Sequence, residues 1–122
     1  MPIKVLLADD SDVIHRAIER HLKFEPKIEM VGQTKTFEEA VRLVRELSPD
    51  VVILDLQMTA AIDADDDGLR QICHCWTIAI SASVDEETVA LSGKLDADAF
   101  IDKMYLGEKL IPTILELAGR ES

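Results

Sequence analysis

Five polar residues of this chain have the types that bind a divalent cation and a phosphoryl group. They are Asp9, Asp10, Asp55, Ser81 and Lys103, which supply three carboxylates, a hydroxyl and an ammonium. Carboxylate oxygens are the ligands that Mg²⁺ prefers, and an ammonium is a point charge that pairs with phosphate. If the fold brings these side chains together, they form a site for metal-dependent phosphoryl chemistry.

The segments that precede these residues are typical of strands in a parallel sheet that is covered on both faces. Such strands are short, continuous apolar runs rich in Val and Ile. Parallel strands have their carboxyl ends at one edge of the sheet, and open α/β folds bind their ligands at that edge. The runs cover residues 3–8, 51–54, 77–80 and, more weakly, 99–101. We therefore expect the five polar side chains to converge.

Helical periodicity alternates with these strands. An apolar stripe predicts a first helix over residues 12–23, which would leave His15 and His21 on the surface. Residues 28–31 predict a second strand, closed by Gly32. A capping-box pattern at 36–39 opens a helix that ends near Pro49. The stripe of the first helix comprises Val13, Ile14, Ala17, Ile18 and Leu22, and the second helix continues with Val41, Val44 and Leu47.

Three more helices follow in the second half of the chain, over residues 69–75, 85–95 and 108–118. The last should direct five residues inward, and Pro112 is compatible with it only in the first turn or just past it. The element order predicts an α/β fold, with a doubly wound, five-stranded parallel sheet in one domain over residues 1–122. The expected inward residues are Leu110, Ile111, Ile114, Leu115 and Ala118.

Charge and cysteine content exclude several kinds of function. The net charge of −11 argues against a direct nucleic-acid partner, because the phosphate backbone requires a basic face. No apolar stretch reaches membrane-spanning length and no signal-peptide pattern precedes the first strand, so we expect a soluble, cytoplasmic protein that does not bind membranes. Cys73 and Cys75 lack the spacing of a metal site and are expected to be reduced thiols.

In this order, the polar residues make the chain resemble a response-regulator receiver domain of two-component signalling systems. The resemblance covers nearly the whole chain, and each motif is weak alone but the set is specific. Taken singly, Ser81 also fits a plain strand-end hydroxyl and Lys103 a solvated surface charge. The matching features are the acidic pair Asp9 and Asp10, the phospho-acceptor Asp55, the step Ser81-Ala82, the aromatic Phe100 and Lys103.

The resemblance implies a flavodoxin-like receiver fold that acts as a signalling switch and not as an enzyme, beyond self-catalysed phosphotransfer and slow autodephosphorylation. Asp55 would accept a phosphoryl group from a histidine kinase or phosphotransfer protein, with Mg²⁺ as the cofactor. Asp10 and Asp55 would bind the metal directly, Asp9 through water, and Gln57 through its backbone carbonyl. The protein would be a monomer or a phosphorylation-dependent dimer.

The remaining site residues would act on the phosphate and on the switch. Ser81 and Lys103 would contact phosphate oxygens. Phe100 would turn inward after phosphorylation and alter the surface formed by the fourth helix, fifth strand and fifth helix.

Three departures from the family pattern concern loops. Thr59 and Met104 stand where the family usually has proline, so the peptide bond after Lys103 is expected to be trans. The family's Asp-Gly step arrives several residues late, as Asp67-Gly68. This delay predicts a lengthened loop after the third strand and a third helix of about two turns.

The lengthened loop allows a competing hypothesis. Asp63, Asp65, Asp67 and Gly68 fit the first half of a calcium-binding loop, but His74 occupies the position of the closing bidentate Glu. An acidic, solvated loop is the simpler interpretation. For the whole chain, the alternative function is a receiver-like interaction module that does not depend on phosphorylation. A haloacid-dehalogenase-like phosphotransferase is disfavoured, because the first strand lacks the expected Asp-x-Asp.

Overall fold

The computed structural model describes residues 1–120 as five strands and five α-helices in alternation. Two short 3₁₀ helices, Leu56–Thr59 and Lys103–Tyr105, follow the third and fifth strands. No helix among the described residues is long and apolar enough to cross a bilayer. The elements are β1 (Ile3–Ala8), α1 (Asp12–Leu22), β2 (Ile28–Thr34), α2 (Phe37–Leu47), β3 (Val51–Asp55), α3 (Asp67–Cys73), β4 (Trp76–Ser81), α4 (Glu86–Leu95), β5 (Ala99–Asp102) and α5 (Leu106–Ala118).

The strands form one parallel sheet in the order β2-β1-β3-β4-β5. This confirms the predicted doubly wound α/β fold, and it places β1 beside β3. Their register pairs Ala8 with Leu54, so the residues that follow β1 lie next to Asp55 at the end of β3. The candidate site is therefore built from adjacent strand ends.

Side chains of the sheet alternate between two apolar layers, because successive residues of a strand point to opposite faces. In β1, Val5 and Leu7 pack with α1 and α5, whereas Leu6 packs with α2, α3 and α4. Every residue of β3 is buried, from Val51 to Asp55. The carboxyl ends are thus held by a core in which truncation of one large side chain costs about 2–5 kcal/mol.

Strand β2 continues past Gly32 to Thr34, so the prediction that this glycine closes the strand was wrong. The register with β1 shifts just before this glycine, because Val5 pairs with Met30 and Leu6 with Gly32, which leaves Val31 as the extra residue of β2. A Cβ on Gly32 would lie 2.8 Å from Leu47 Cδ1 and 3.2 Å from Leu6 Cδ1. A side chain at this position would therefore displace the ends of the Leu47 and Leu6 side chains, and the glycine lies within the strand instead of ending it.

The predicted apolar face of α1 was only partly correct. Ile18 and Leu22 are buried, but Val13 is 66% exposed and Ala17 is also exposed. His15, expected on the surface, is 7% exposed. The helix is rotated so that this ring lies over the end of β1, where polar groups bind it.

Helix α5 begins at Leu106, two residues before the predicted start. Pro112 is consequently the seventh residue of the helix, beyond the position where it was expected to be compatible. Its exposed position allows water to bind the Glu108 carbonyl that loses its helical donor. Of the predicted inward residues, Leu110 and Ile114 are fully buried, and Leu117, which the prediction missed, is also buried.

The segment between β3 and α3 is long and α3 is short, as the delayed Asp67-Gly68 step predicts. Lys94 of α4 holds this segment by donating hydrogen bonds to the carbonyls of Thr59 (2.5 Å) and Ile62 (2.6 Å). No cis peptide bond occurs among residues 1–120, so the bond after Lys103 is trans.

Candidate functional site

Three carboxylates meet at the carboxyl edge of the sheet. Asp9 and Asp10 follow β1, and Asp55 ends the adjacent β3, so one oxygen from each lies within 4.8 Å of the others. Asp9 is 0% exposed and Asp55 is 3% exposed, whereas Asp10 is open to solvent. The cluster is accessible from the side of Asp10 and closed by protein beneath it.

Asp9 is held in place by its backbone and by its side chain. Its N–H donates to Thr34 O (3.1 Å), and its carbonyl accepts a hydrogen bond from His15 Nε2 (2.6 Å). Oδ1 accepts from the Ser11 N–H (2.8 Å). Oδ2 lies 2.8 Å from Lys103 Nζ, yet among the described residues this buried oxygen makes no well-directed hydrogen bond. Asp9 thus keeps one oxygen with unused acceptor capacity.

Lys103 reaches the cluster from the end of β5, across the intervening β4. Its ammonium lies 2.8 Å from Asp9 Oδ2 and 3.6 Å from Asp55 Oδ2, and its side chain is 15% exposed. Asp102 accepts a hydrogen bond from Met104 N (2.9 Å) and so fixes the turn that carries Lys103. One ammonium among three carboxylates leaves the site negative, since it can neutralise only one of the three charges.

Burial raises the pKa of Asp55, and the negative charge of Asp9 raises it further, with a smaller contribution from Asp10. Two groups lower the pKa of Asp55 without cancelling this rise. They are the Gln57 N–H, which lies 3.2 Å from Oδ1, and the Lys103 ammonium. The ionised form of Asp55 is therefore disfavoured in the metal-free protein.

These features suit a divalent cation with oxygen ligands. A bound cation would give the free Asp9 oxygen and the exposed Asp10 carboxylate a positive partner. Its charge would also favour the ionised form of Asp55, whose pKa is raised without it. The Gln57 carbonyl accepts a hydrogen bond from Ala60 N (3.3 Å), and a carbonyl oxygen has a second lone pair for a ligand. Its participation stays a prediction.

Ser81 and Phe100 lie near this edge on β4 and β5. Asp55 is paired with Ile80, so Ser81 is one residue further along the neighbouring strand. Ser81 is 1% exposed, and its hydroxyl accepts a hydrogen bond from Ser83 N (3.3 Å). Phe100 is half-buried beside a cleft of about 150 Å³, which Val84, Thr88, Val89 and Ser92 also line. The predicted roles of both residues are not tested by these contacts.

The acidic loop has a structural role. Among the described residues, the three carboxylates that gather at one point are those of Asp9, Asp10 and Asp55, and not those of the loop. Asp66 caps α3, because its Oδ1 accepts from Gly68 N (2.8 Å) and Leu69 N (3.2 Å). The remaining carboxylates, Asp63, Asp65 and Asp67, are exposed.

The two cysteines are free. Cys73 is exposed and its thiol donates to Leu95 O (3.1 Å), whereas Cys75 is half-buried. Partial burial raises the pKa of both thiols above the ordinary value. Both are therefore protonated and weakly reactive at neutral pH.

Comparison with known proteins gives a family. The family model for the response regulator receiver domain matches residues 5–115. The chain therefore belongs to the response regulator receiver domain family of two-component systems.

Several relatives are longer than this chain. The transcriptional regulatory protein LiaR of Bacillus subtilis (strain 168) is 34% identical over 89 residues, which are 71% of this chain and 42% of LiaR. The nitrate/nitrite response regulator protein NarL of Escherichia coli (strain K12) is 29% identical over 122 residues, covering 98% of this chain and 56% of NarL. The chain thus spans about half the length of these curated relatives.

Solved structures show the same fold. The signal receiver domain of the response regulator NarL from Mycobacterium tuberculosis matches with a TM-score of 0.81 at 21% identity, over 98% of both chains. The response regulator domain of Thermotoga maritima CheB matches with a TM-score of 0.80 at 22% identity, over the full length of both.

Proposed function

We propose that Asp55 accepts a phosphoryl group from a phosphohistidine of a histidine kinase or phosphotransfer protein. The observation that carries this proposal is the position of Asp55 at the carboxyl edge, within 4.8 Å of Asp9 and Asp10 and with Lys103 at 3.6 Å. An Asp55 oxygen attacks the phosphorus, the N–P bond breaks, and its electron pair returns to the histidine nitrogen of the donor. The product is an aspartyl phosphate.

The neighbouring residues bind the cofactor and orient the phosphoryl group. Asp10, Asp55 and the Gln57 carbonyl would hold Mg²⁺, and Asp9 would act through water. The ion would supply positive charge near the phosphoryl oxygens, and catalysis of phosphoryl transfer depends chiefly on positioning and on such electrostatic stabilisation. Lys103 contacts one phosphate oxygen with its ammonium, and the Ser81 hydroxyl donates to another.

Phosphorylation then changes the surface around α4, β5 and α5. Ser81 moves toward the phosphate, and Phe100 turns inward into the space that this movement leaves. The cleft of about 150 Å³ beside Phe100 supports the idea that this ring has room to change its position. Val84 and Val89, which are 61% and 64% exposed, lie on the wall of that cleft.

The receiver domain, which the sequence predicts over residues 1–122, signals and does not turn over a substrate, apart from slow hydrolysis of its own phosphate. The partners are proteins, and the net charge of −11 argues against direct contact with nucleic acid. The domain works in the cytoplasm, away from the membrane, as a monomer or a phosphorylation-dependent dimer.

A second candidate function is a phosphorylation-independent interaction module. The observation in its favour is the altered loop after β3, which Lys94 fixes to α4 through two carbonyls. A segment fixed in this way could hold α4 in one position whether or not Asp55 is phosphorylated.

Beryllofluoride separates the two functions, because it forms an acyl-phosphate mimic on a carboxylate. A phosphoryl switch should gain thermal stability when Mg²⁺ and beryllofluoride are added together, and Asp55→Asn should abolish the gain. The matched control Asp63→Asn, in the exposed loop, should keep it. A folded protein that shows no response supports the interaction module.

A further inference from the structure

One histidine is buried directly behind the acidic cluster. The His15 ring is 7% exposed, and its Nε2 lies 2.6 Å from the Asp9 carbonyl, to which it donates because a carbonyl can only accept. Nδ1 lies 2.7 Å from Oε1 of the Gln33 side-chain amide, which also can only accept, so this ring nitrogen must donate as well for the contact to be a hydrogen bond. The nitrogen of that amide donates to Glu19 Oε2 (3.0 Å). The ring is therefore fixed on both sides, from α1 and from β2.

The carbonyl that His15 binds belongs to the peptide that leads into Asp10. The Asp9 C=O and the Asp10 N–H lie in one rigid plane, so a fixed carbonyl direction also fixes the orientation of the bond into Asp10. Among the described residues, the hydrogen bonds and ion pairs at this edge involve Asp9 and Asp55 and not the Asp10 carboxylate. The backbone is thus the means by which the protein directs Asp10.

We infer that His15 is a positioning residue, which orients the Asp9–Asp10 peptide so that the exposed Asp10 carboxylate faces the cation site. This inference rests on the proposed function, in which Asp10 binds Mg²⁺ directly. A polar group that orients a ligand typically changes metal affinity about 10–100-fold when it is removed. His15 would do this through the main chain.

A second histidine on the same helix provides a matched control. His21 is half-buried and lies beside Leu106 and Leu110, between α1 and α5 and away from the acids. Its buried Nε2 has no hydrogen-bond partner among residues 1–120. Replacing His21 therefore removes a histidine from the same helix but leaves the hydrogen bond to the Asp9 carbonyl intact.

The experiment compares His15→Leu, His15→Gln and His21→Leu by calorimetric titration with Mg²⁺, with melting temperatures measured in EDTA. His15→Leu fills the space but cannot donate, so its Mg²⁺ affinity should fall by about 10-fold or more. His15→Gln carries an amide N–H at a similar reach and should restore affinity close to that of the parent. His21→Leu should bind Mg²⁺ as the parent does.

The results distinguish failure of this inference from failure of the proposed function. If the parent and His15→Leu bind Mg²⁺ equally well, the inference is wrong and the proposed function stands. The same holds if His15→Gln loses as much Mg²⁺ affinity as His15→Leu. A parent that binds no Mg²⁺ overturns both. If His15→Leu does not fold, Gln33→Leu replaces it, because Gln33 is exposed and its loss frees the ring. That variant should weaken Mg²⁺ binding, and unchanged affinity would overturn the inference.

Discussion

Asp55 lies where an ionised carboxylate is unfavourable unless a cation is present. Burial and the charge of Asp9 raise its pKa, and the Lys103 ammonium, 3.6 Å away, does not offset both. The residue that accepts the phosphoryl group in our proposal is thus also a source of instability in the metal-free protein.

Replacing Asp55 with Asn should stabilise the metal-free domain, because it removes one of three mutually repelling charges. In EDTA at neutral pH, the melting temperature of Asp55→Asn should exceed that of the parent by on the order of 5 °C. The stabilisation that Mg²⁺ confers should be smaller in the variant. A lower melting temperature with a full Mg²⁺ response would contradict the proposed cluster.

The pH dependence has a definite sign. Because the pKa of Asp55 is higher in the folded state than its ordinary value of 3.8, its ionisation removes stability as pH rises through the folded-state pKa. At a pH below the pKa that Asp55 has in the unfolded state, the residue is protonated in both states and its ionisation costs no stability. The melting-temperature difference between Asp55→Asn and the parent in EDTA should therefore be largest at neutral pH and should shrink on acidification. A difference that grows toward acid would refute this sign.

At the scale of elements, Lys94 joins α4 to the segment after β3. The Thr59 carbonyl accepts a hydrogen bond from Ile62 N (3.0 Å), and the half-buried Lys94 ammonium donates to the carbonyls of both Thr59 and Ile62. The contact fixes the lengthened loop in place, since α3 is too short to do so. It also connects the turn that contains Gln57 with α4.

Lys94→Met should destabilise the domain by about 1.5–3 kcal/mol, the usual value of hydrogen bonds to a charged group. Urea unfolding gives this free energy. Lys109→Met is the control. Lys109 is exposed on α5, and its ammonium lies 5.2 Å from the centre of the Tyr105 ring. Equal stability of the two variants would show that the contact with the loop carries no net energy.

The elements themselves could largely be predicted, because apolar runs and caps are local signals. Helix α4 was predicted from Asp85 and begins one residue later, at Glu86, because Asp85 caps it: its side chain accepts from Thr88 N (2.9 Å). The errors arise where tertiary packing decides. Gly32 lies inside β2, close to the Leu47 side chain of α2, and Pro112 lies inside α5 on its exposed side. Neither packing contact can be inferred from a local pattern.

The candidate site shows the same division between local and tertiary signals. The approach of Asp9, Asp10 and Asp55 follows from their positions directly after adjacent strands. The contacts of His15 and Lys94 could not be foreseen, because their partners are main-chain carbonyls and every residue has one. A buried histidine off the apolar stripe became visible only once the rotation of α1 was known.

For the whole molecule, a net charge of −11 raises the question of whether distant acids assist cation binding. Asp63 and Asp65 are exposed in the loop after β3, Asp67 is exposed at the start of α3, and these carboxylates are not in the cluster of Asp9, Asp10 and Asp55. Exposed charges farther apart than the Debye length, about 8 Å at physiological salt, are largely screened. The cluster itself should therefore determine Mg²⁺ affinity.

Replacing all three loop residues with Asn should leave Mg²⁺ affinity within about twofold of the parent at physiological salt, since screening removes most of their effect. Calorimetric titration measures this directly, with Asp10→Asn as the variant that should lose binding. A Ca²⁺-dependent thermal shift that survives Asp55→Asn but not the triple substitution would establish a separate cation site in the loop.

The most direct test of the account is the mass of the intact protein after incubation with Mg²⁺ and acetyl phosphate. We predict the added mass of one phosphate, located on Asp55 by fragmentation, absent when EDTA replaces Mg²⁺ and absent in Asp55→Asn. Asp63→Asn should be labelled as the parent is. A phosphate that persists in Asp55→Asn, or a folded parent that takes none under these conditions, would contradict the assignment of Asp55 as the phosphoryl acceptor.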